Sequence, residues 1–178
     1  GERIKTSDKN ATLLFLGDNI YPSGLPTDLE SDERKIAEQK LTFQLEIAKK
    51  FQGKTVFIPG NHDWYNGIEG LEEQAKFAND YLNDKKAFLP RKSCGIERLK
   101  INDEVAMIII DSQWFLEDWN RYPTINDDCD IKTREAFFDE IVSLLNKHQN
   151  QTVILALHHP LYSNSSHGGQ FFSIHQQL

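Results

Sequence analysis

The stretch LFLGDNIY, residues 14–21, decides the fold: an apolar run short enough for one buried strand is followed by a carboxylate, an amide and a phenol where that strand would leave its sheet. IPGNHDW at 58–64 repeats the arrangement, and ILALHHPLYS at 154–163 does so a third time with histidines. In open α/β sheets ligands bind in the crevice outside the strand carboxyl ends, so residues distant in sequence can meet there. The runs at 12–16 (TLLFL), 55–58 (TVFI), 105–110 (VAMIII) and 153–157 (VILAL) are rich in β-branched or aromatic side chains, as in strands covered on both faces. Between the first two, DERKIAEQKLTFQLEIAKKFQG carries Phe43, Ile47 and Phe51 at helical spacing. Thr27 and Glu30 stand at capping-box spacing before it, and Gly53 supplies a stop. Strand, helix and strand in that order predict a βαβ unit with parallel strands.

Working outward, a second helix is predicted from about Ile68 to Leu82. IERLKI at 96–101 alternates apolar and polar residues, and Asn102-Asp103 turns the chain into the next strand, a hairpin signature. A third helix is expected over roughly Lys132 to His148, with Phe137, Phe138, Ile141, Leu145 and His148 on one stripe. No repeat, low-complexity tract or linker interrupts the 178 residues, and one α/β domain with mixed sheets is the economical reading. With 39% hydrophobic residues the chain can bury a core.

A net charge of −7 and a pI near 5.3 leave no basic footprint for extended nucleic acid, which is held through Lys and Arg on phosphates. The longest apolar runs fall well short of the about 20 residues a membrane span needs. The chain opens on Gly1 and closes on His175-Gln176-Gln177-Leu178 without a stop signal, so it is expected to be an excerpt truncated at both ends. Cys94 and Cys129 both sit in polar, turn-rich text. If they pair, an oxidising, extracytoplasmic setting (periplasm, cell envelope or secreted) is favoured. Cysteine-bound zinc is the weaker reading, because neither has a second cysteine or a histidine at ligand spacing.

Each candidate site residue has an ordinary reading beside the chemical one. Asp18 at a strand end can bridge two cations, with Tyr21 bent back by the turn Pro22-Ser23-Gly24; taken alone, Asp18 reads as a cap on that turn. Asn61 offers a neutral amide oxygen to a hard cation, and His62 a proton donor or phosphate contact; the plain reading is a turn with a surface histidine. His158 and His159 point to opposite faces if the strand continues, so one serves as ligand and the other packs or is exposed. His167, in NSSHGGQ, either overhangs the same cleft or is a free surface residue. Asp111 after a strand is more simply a backbone-bonding cap. Asp127-Asp128-Cys129-Asp130 lacks the glycine and glutamate of a calcium loop. Trp64, Trp114, Trp119 and Tyr122 could rim a substrate, although core packing is the default for aromatics.

The order GDxxY, GNHD, then an apolar strand ending in HxP resembles the calcineurin-like metallophosphoesterase superfamily, and its GDxxY form is most similar to purple acid phosphatases. The resemblance runs from about Leu13 to His167. It implies a β-sandwich of mixed sheets flanked by helices, holding two metal ions drawn from iron, manganese and zinc. By it Asp18 bridges the ions, Tyr21 is the phenolate ligand of a ferric ion, and Asn61 binds the second metal. His158, rather than His159, is the HxP ligand. His62 contacts phosphate and assists the leaving group, while His167 is the loop histidine over the substrate. A phosphate ester is the implied substrate, monoester or diester, attacked by a metal-bound hydroxide. Two departures stand out: no DxG or DxH motif precedes LLFL, and no GHxH follows. Asp18, Tyr21, Asn61 and His158 are four donors for two ions that each want four to six. The alternative is a catalytically incomplete binding or scaffold domain on the same fold.

Overall fold

The computed structural model describes residues 8–91 and 94–161. The chain gathers into two compact units, Gly1–Arg91 and Lys92–Leu178. In the first, β1 (Thr12–Leu16) runs parallel to β2 (Lys54–Ile58), in register from Thr12 opposite Lys54 to Leu16 opposite Ile58. The crossover between them contains α1 (Asp32–Lys49), as the βαβ reading requires. Val56, Phe57 and Ile58 are fully buried, and Phe15 stacks on Phe57 with ring centroids 4.1 Å apart. Beyond β2 come a single 3-10 turn (His62–Trp64) and α2 (Gly67–Leu82), whose end is closed by Asn83 in the left-handed region.

Three details of α1 differ from the sequence reading. Its N-cap is Ser31, whose side chain accepts from the Arg34 amide at 3.2 Å. Thr27 and Glu30 lie upstream, since a cap must directly precede the first helical residue. The buried face is Arg34, Ala37, Leu41, Leu45 and Ala48, whereas Phe43 (64% exposed) and Ile47 (42%) point outward. The largest apolar side chains mislead because the inward stripe is built from smaller residues at the same period. Arg34 is buried with its guanidinium fork spread over Glu38 (2.6 Å), the Pro26 carbonyl (2.7 Å) and Glu73 of α2 (2.9 Å), which ties both helices to the intervening loop. Finally, α1 ends at Lys49 and not at Gly53. A Cβ at Gly53 would stand 2.0 Å from the Ala11 carbonyl oxygen, so this glycine lets β2 start against β1.

The second unit is a three-stranded sheet in the order β3 (Ile96–Lys100), β4 (Val105–Ile110), β5 (Thr152–Leu157). β3 and β4 form the expected antiparallel hairpin, closed by the Asn102 side chain accepting from the Glu104 and Val105 amides at 2.8 Å each. β4 and β5 are parallel. The connection between them carries α3 (Ser112–Leu116) and α4 (Arg134–Lys147), the latter capped by Thr133. On α4 the inward residues are Phe137, Ile141 and Leu144; Leu145, expected inward, is exposed, and His148 is buried at the C-cap. Cys94 and Cys129 form a disulfide across 35 positions. Trp64 and Trp114 are core residues rather than a rim, and the Trp114 indole donates to the Ile125 carbonyl at 3.1 Å. The architecture is mixed α/β, two sheets flanked by helices. Among the described residues no helix is long and apolar enough to cross a membrane.

Candidate functional site

The chain turns immediately after β1: Gly17 takes φ 91° and Asp18 φ 53°. A left-handed non-glycine residue costs of order 1–3 kcal/mol and persists only where surrounding bonds hold it, which marks this turn as a constrained position. The Asp18 carboxylate faces the loop after β2. Its Oδ1 accepts from the His62 amide at 3.1 Å, and its Oδ2 lies 4.0 Å from His62 Nε2. His62 Nδ1 is 2.5 Å from the Pro22 carbonyl oxygen, which can only accept, so Nδ1 carries a proton and Nε2 is the nitrogen turned toward Asp18. The imidazole is held between Tyr21 and Tyr65, with centroids 4.4 and 4.6 Å away.

α1 fixes the backbone of the Asp18–Tyr21 loop from behind, Lys40 donating to the Tyr21 carbonyl at 2.9 Å and Gln44 to the Asn19 carbonyl at 2.5 Å. Tyr21 is 61% exposed, leaving its ring accessible beside His62. Asn61 begins the 3-10 turn, its carbonyl accepting from the Trp64 amide at 3.2 Å while its side chain makes no cap bond to that turn. Asp18, Tyr21 and His62 are therefore gathered at the carboxyl ends of two adjacent parallel strands, with Asn61 next to His62 in the chain. A cavity of about 440 Å³ is lined by Tyr21, Pro22, Gly24, Ile36 and Lys40 among others, but by neither Asp18 nor His62.

Beneath these loops lies Asp63, fully buried. It accepts from the amides of Gly60 (2.8 Å), Ile20 (3.1 Å) and Asn19 (3.2 Å) and from the side-chain amides of Gln74 (3.0 Å) and Asn19 (3.1 Å). Burial pushes its carboxyl above the ordinary range, and the bonds from Gly60, Gln74, Ile20 and Asn19 pull the other way. The sequence reading assigns this residue no part, although it is the last letter of GNHD.

In the second unit His158 follows β5 and is half-buried. His159 is buried, its Nδ1 2.7 Å from Ser112 Oγ and its amide donating to the same oxygen at 3.3 Å. Of the two histidines, His159 is thus the packed one. Both lie past the last strand residue, and the rings stand edge to face with centroids 5.1 Å apart. Asp111 caps α3 by accepting from the Trp114 amide at 3.0 Å, its plain reading. Asp127, Asp128 and Asp130 are exposed around the buried Cys129. His167 lies outside the described residues.

Among the described residues no three His, Cys, Asp or Glu side chains converge as a metal site. Of the donors expected from the sequence, Asp18 and His158 are of these types while Tyr21 and Asn61 are not; carboxylate, phenol and amide oxygens with an imidazole suit hard and borderline cations. A family model, calcineurin-like phosphoesterase, matches residues 2–173 and so spans both units. No curated protein and no solved structure matches the chain. With parallel strands ending in GDNIY and GNHD, and a match along almost its whole length, the chain belongs to the calcineurin-like phosphoesterase family.

Proposed function

We propose that this chain is a metal-dependent phosphoric ester hydrolase of the purple acid phosphatase type, acting on a phosphomonoester or phosphodiester through a binuclear centre, within a single domain over residues 1–178. Family membership supports the coarse part, since calcineurin-like phosphoesterases are in general metal-dependent hydrolases. The observation that carries the finer part is the pairing of the Asp18 carboxylate with an oriented His62 imidazole where two parallel strands end.

In this reading Asp18, Tyr21, Asn61 and His158 would hold two ions of iron, manganese or zinc, with Asp18 shared between them, Tyr21 on one and Asn61 on the other. When bound, the ions neutralise phosphoryl charge and activate water. The chain's own work is positional and acid–base. His62 donates through Nδ1 to Pro22, so Nε2 is the atom that contacts phosphate and delivers a proton to the departing oxygen as the ester P–O bond breaks. His167 is assigned a contact to the substrate alongside His62. The bond between Cys94 and Cys129 supports an extracytoplasmic setting.

The test is hydrolysis of an aryl phosphate by metal-loaded protein. Asp18→Asn and His158→Ala should abolish turnover while leaving the fold intact, and ordinary turnover in Asp18→Asn would remove that residue's role. Absence of metal-dependent turnover in the unaltered chain, with every ester offered, would favour the scaffold alternative. A colourless, iron-free, active protein would argue against Tyr21 on ferric iron.

A further inference from the structure

We propose that Asp63 is a positioning residue that sets the separation of Asp18 and His62 by locking the loops after β1 and β2 into one rigid piece. The inference rests on the reading of Asp18 and His62 as the reacting machinery and adds a residue that touches neither substrate nor metal. Its basis is which groups the carboxylate holds. Oδ2 takes the Asn19 amide, the Asn19 side chain and the Gly60 amide; Oδ1 takes the Ile20 amide and the Gln74 side chain. Asn19 adjoins Asp18, Ile20 adjoins Tyr21, Gly60 adjoins Asn61, and Asp63 itself follows His62. Asp18, Tyr21, Asn61 and His62 are therefore each one peptide from a residue bonded to Asp63 or from Asp63 itself.

The partners are arranged around the carboxylate rather than for their own satisfaction. Among the described residues Asn19 Oδ1 and Gln74 Oε1 are both buried without a hydrogen-bond partner; the Gln74 NH2 points at Asp63, and the Asn19 NH2 is shared between Asp63 (3.1 Å) and the Ile58 carbonyl (2.8 Å). A buried acceptor left unpaired is unfavourable, so the Gln74 amide is turned by the Asp63 carboxylate, and the Asn19 amide by that carboxylate together with the Ile58 carbonyl at the end of β2. The strained Asp18 backbone is held at its neighbour by the same carboxylate. Gly24 closes the arrangement: its φ of 68° brings it against the His62 and Asp63 carbonyls with no room for a side chain.

An asparagine in place of Asp63 keeps the size but turns an NH2 toward donors on one side. In Asp63→Asn the amides of Asn19, Ile20 and Gly60, protected in the unaltered protein, should exchange with solvent at least about tenfold faster. Turnover of an aryl phosphate by the metal-loaded protein should fall about 100-fold in kcat, with KM moving little, as for a small misplacement of reacting groups. The double variant Asp63→Asn/Gln74→Glu puts a carboxylate next to the new NH2 and leaves the oxygen of the introduced amide for Gly60 and Asn19. It should regain protection at the Asn19 and Gly60 amides, with Ile20 still facing the NH2, and kcat to within tenfold of the unaltered protein, and it serves as the readout if Asp63→Asn alone does not fold. Three unprotected amides in the unaltered protein, a kcat unchanged in Asp63→Asn, or a folded double variant that regains neither would each overturn the proposal. An unaltered protein without turnover would instead defeat the hydrolase reading, while amide exchange still judges the clamp.

Discussion

Gly24→Ala places one methyl group where the two site loops touch. The new Cβ would stand 2.8 Å from both the His62 and Asp63 carbonyl oxygens and 3.1 Å from the Asp63 carbonyl carbon. All three are backbone atoms, so no side chain can swing aside. The residue also keeps φ at 68°, where an L side chain costs roughly 1–2 kcal/mol. Overpacking against a fixed wall adds roughly 1–3 kcal/mol, and together they predict a loss of about 2–5 kcal/mol. That is a large share of the about 5–15 kcal/mol that holds a typical domain together. Urea unfolding followed through the fluorescence of buried Trp64 and Trp114 measures it as a lower midpoint at unchanged slope. Relief of the clash by moving residues 20–24 away from 62–63 also drags Tyr21 from His62, so aryl phosphate turnover should fall with stability. A loss under about 1 kcal/mol with unaltered kcat would refute the claim that these loops are in enforced contact.

Removing the bridge with Cys94→Ser/Cys129→Ser frees a loop of 35 positions, worth about 4 kcal/mol by chain entropy, and should lower the urea midpoint accordingly; equal midpoints with and without reductant would deny the bond. Ser31→Ala should cost about 1 kcal/mol by removing the α1 cap, and Thr27→Ala nothing measurable, an order that reverses if the upstream pair caps the helix. With His62 as the proposed proton donor, His62→Ala should lower kcat by about 10²–10⁴-fold with metal content retained; loss of metal in this variant would reassign it.

The elements are largely legible because each is announced by its own period. β1, β2, β4 and β5 coincide with the apolar runs to within a residue, and Asn102 closes the hairpin where a turn is expected. Which face of a helix turns inward is harder to read. Hydrophobicity alone puts Phe43 and Leu145 in the core, yet Leu41, Leu45 and Leu144 occupy those places, a matter of tertiary packing that periodicity underdetermines. At the site, Asp18, Tyr21, Asn61 and His62 stand out because they follow strands, and the structure brings Asp18, Tyr21 and His62 side by side. Asp63 does not stand out. Its partners are mostly backbone amides, which leave no trace in a sequence, although an aspartate packed between His62 and Trp64 is itself a signal that something buried has to receive donors.

The central claim is that oxygen and nitrogen donors from GDNIY, GNHD and HHP share a pair of cations. A crystal structure of the metal-loaded protein, with ions located by anomalous scattering, tests it most directly. The account predicts two peaks about 3.5–4 Å apart, Asp18 touching both, Tyr21 and Asn61 on opposite ions, and His158 within ligand distance. A single peak, or peaks remote from Asp18, would contradict it.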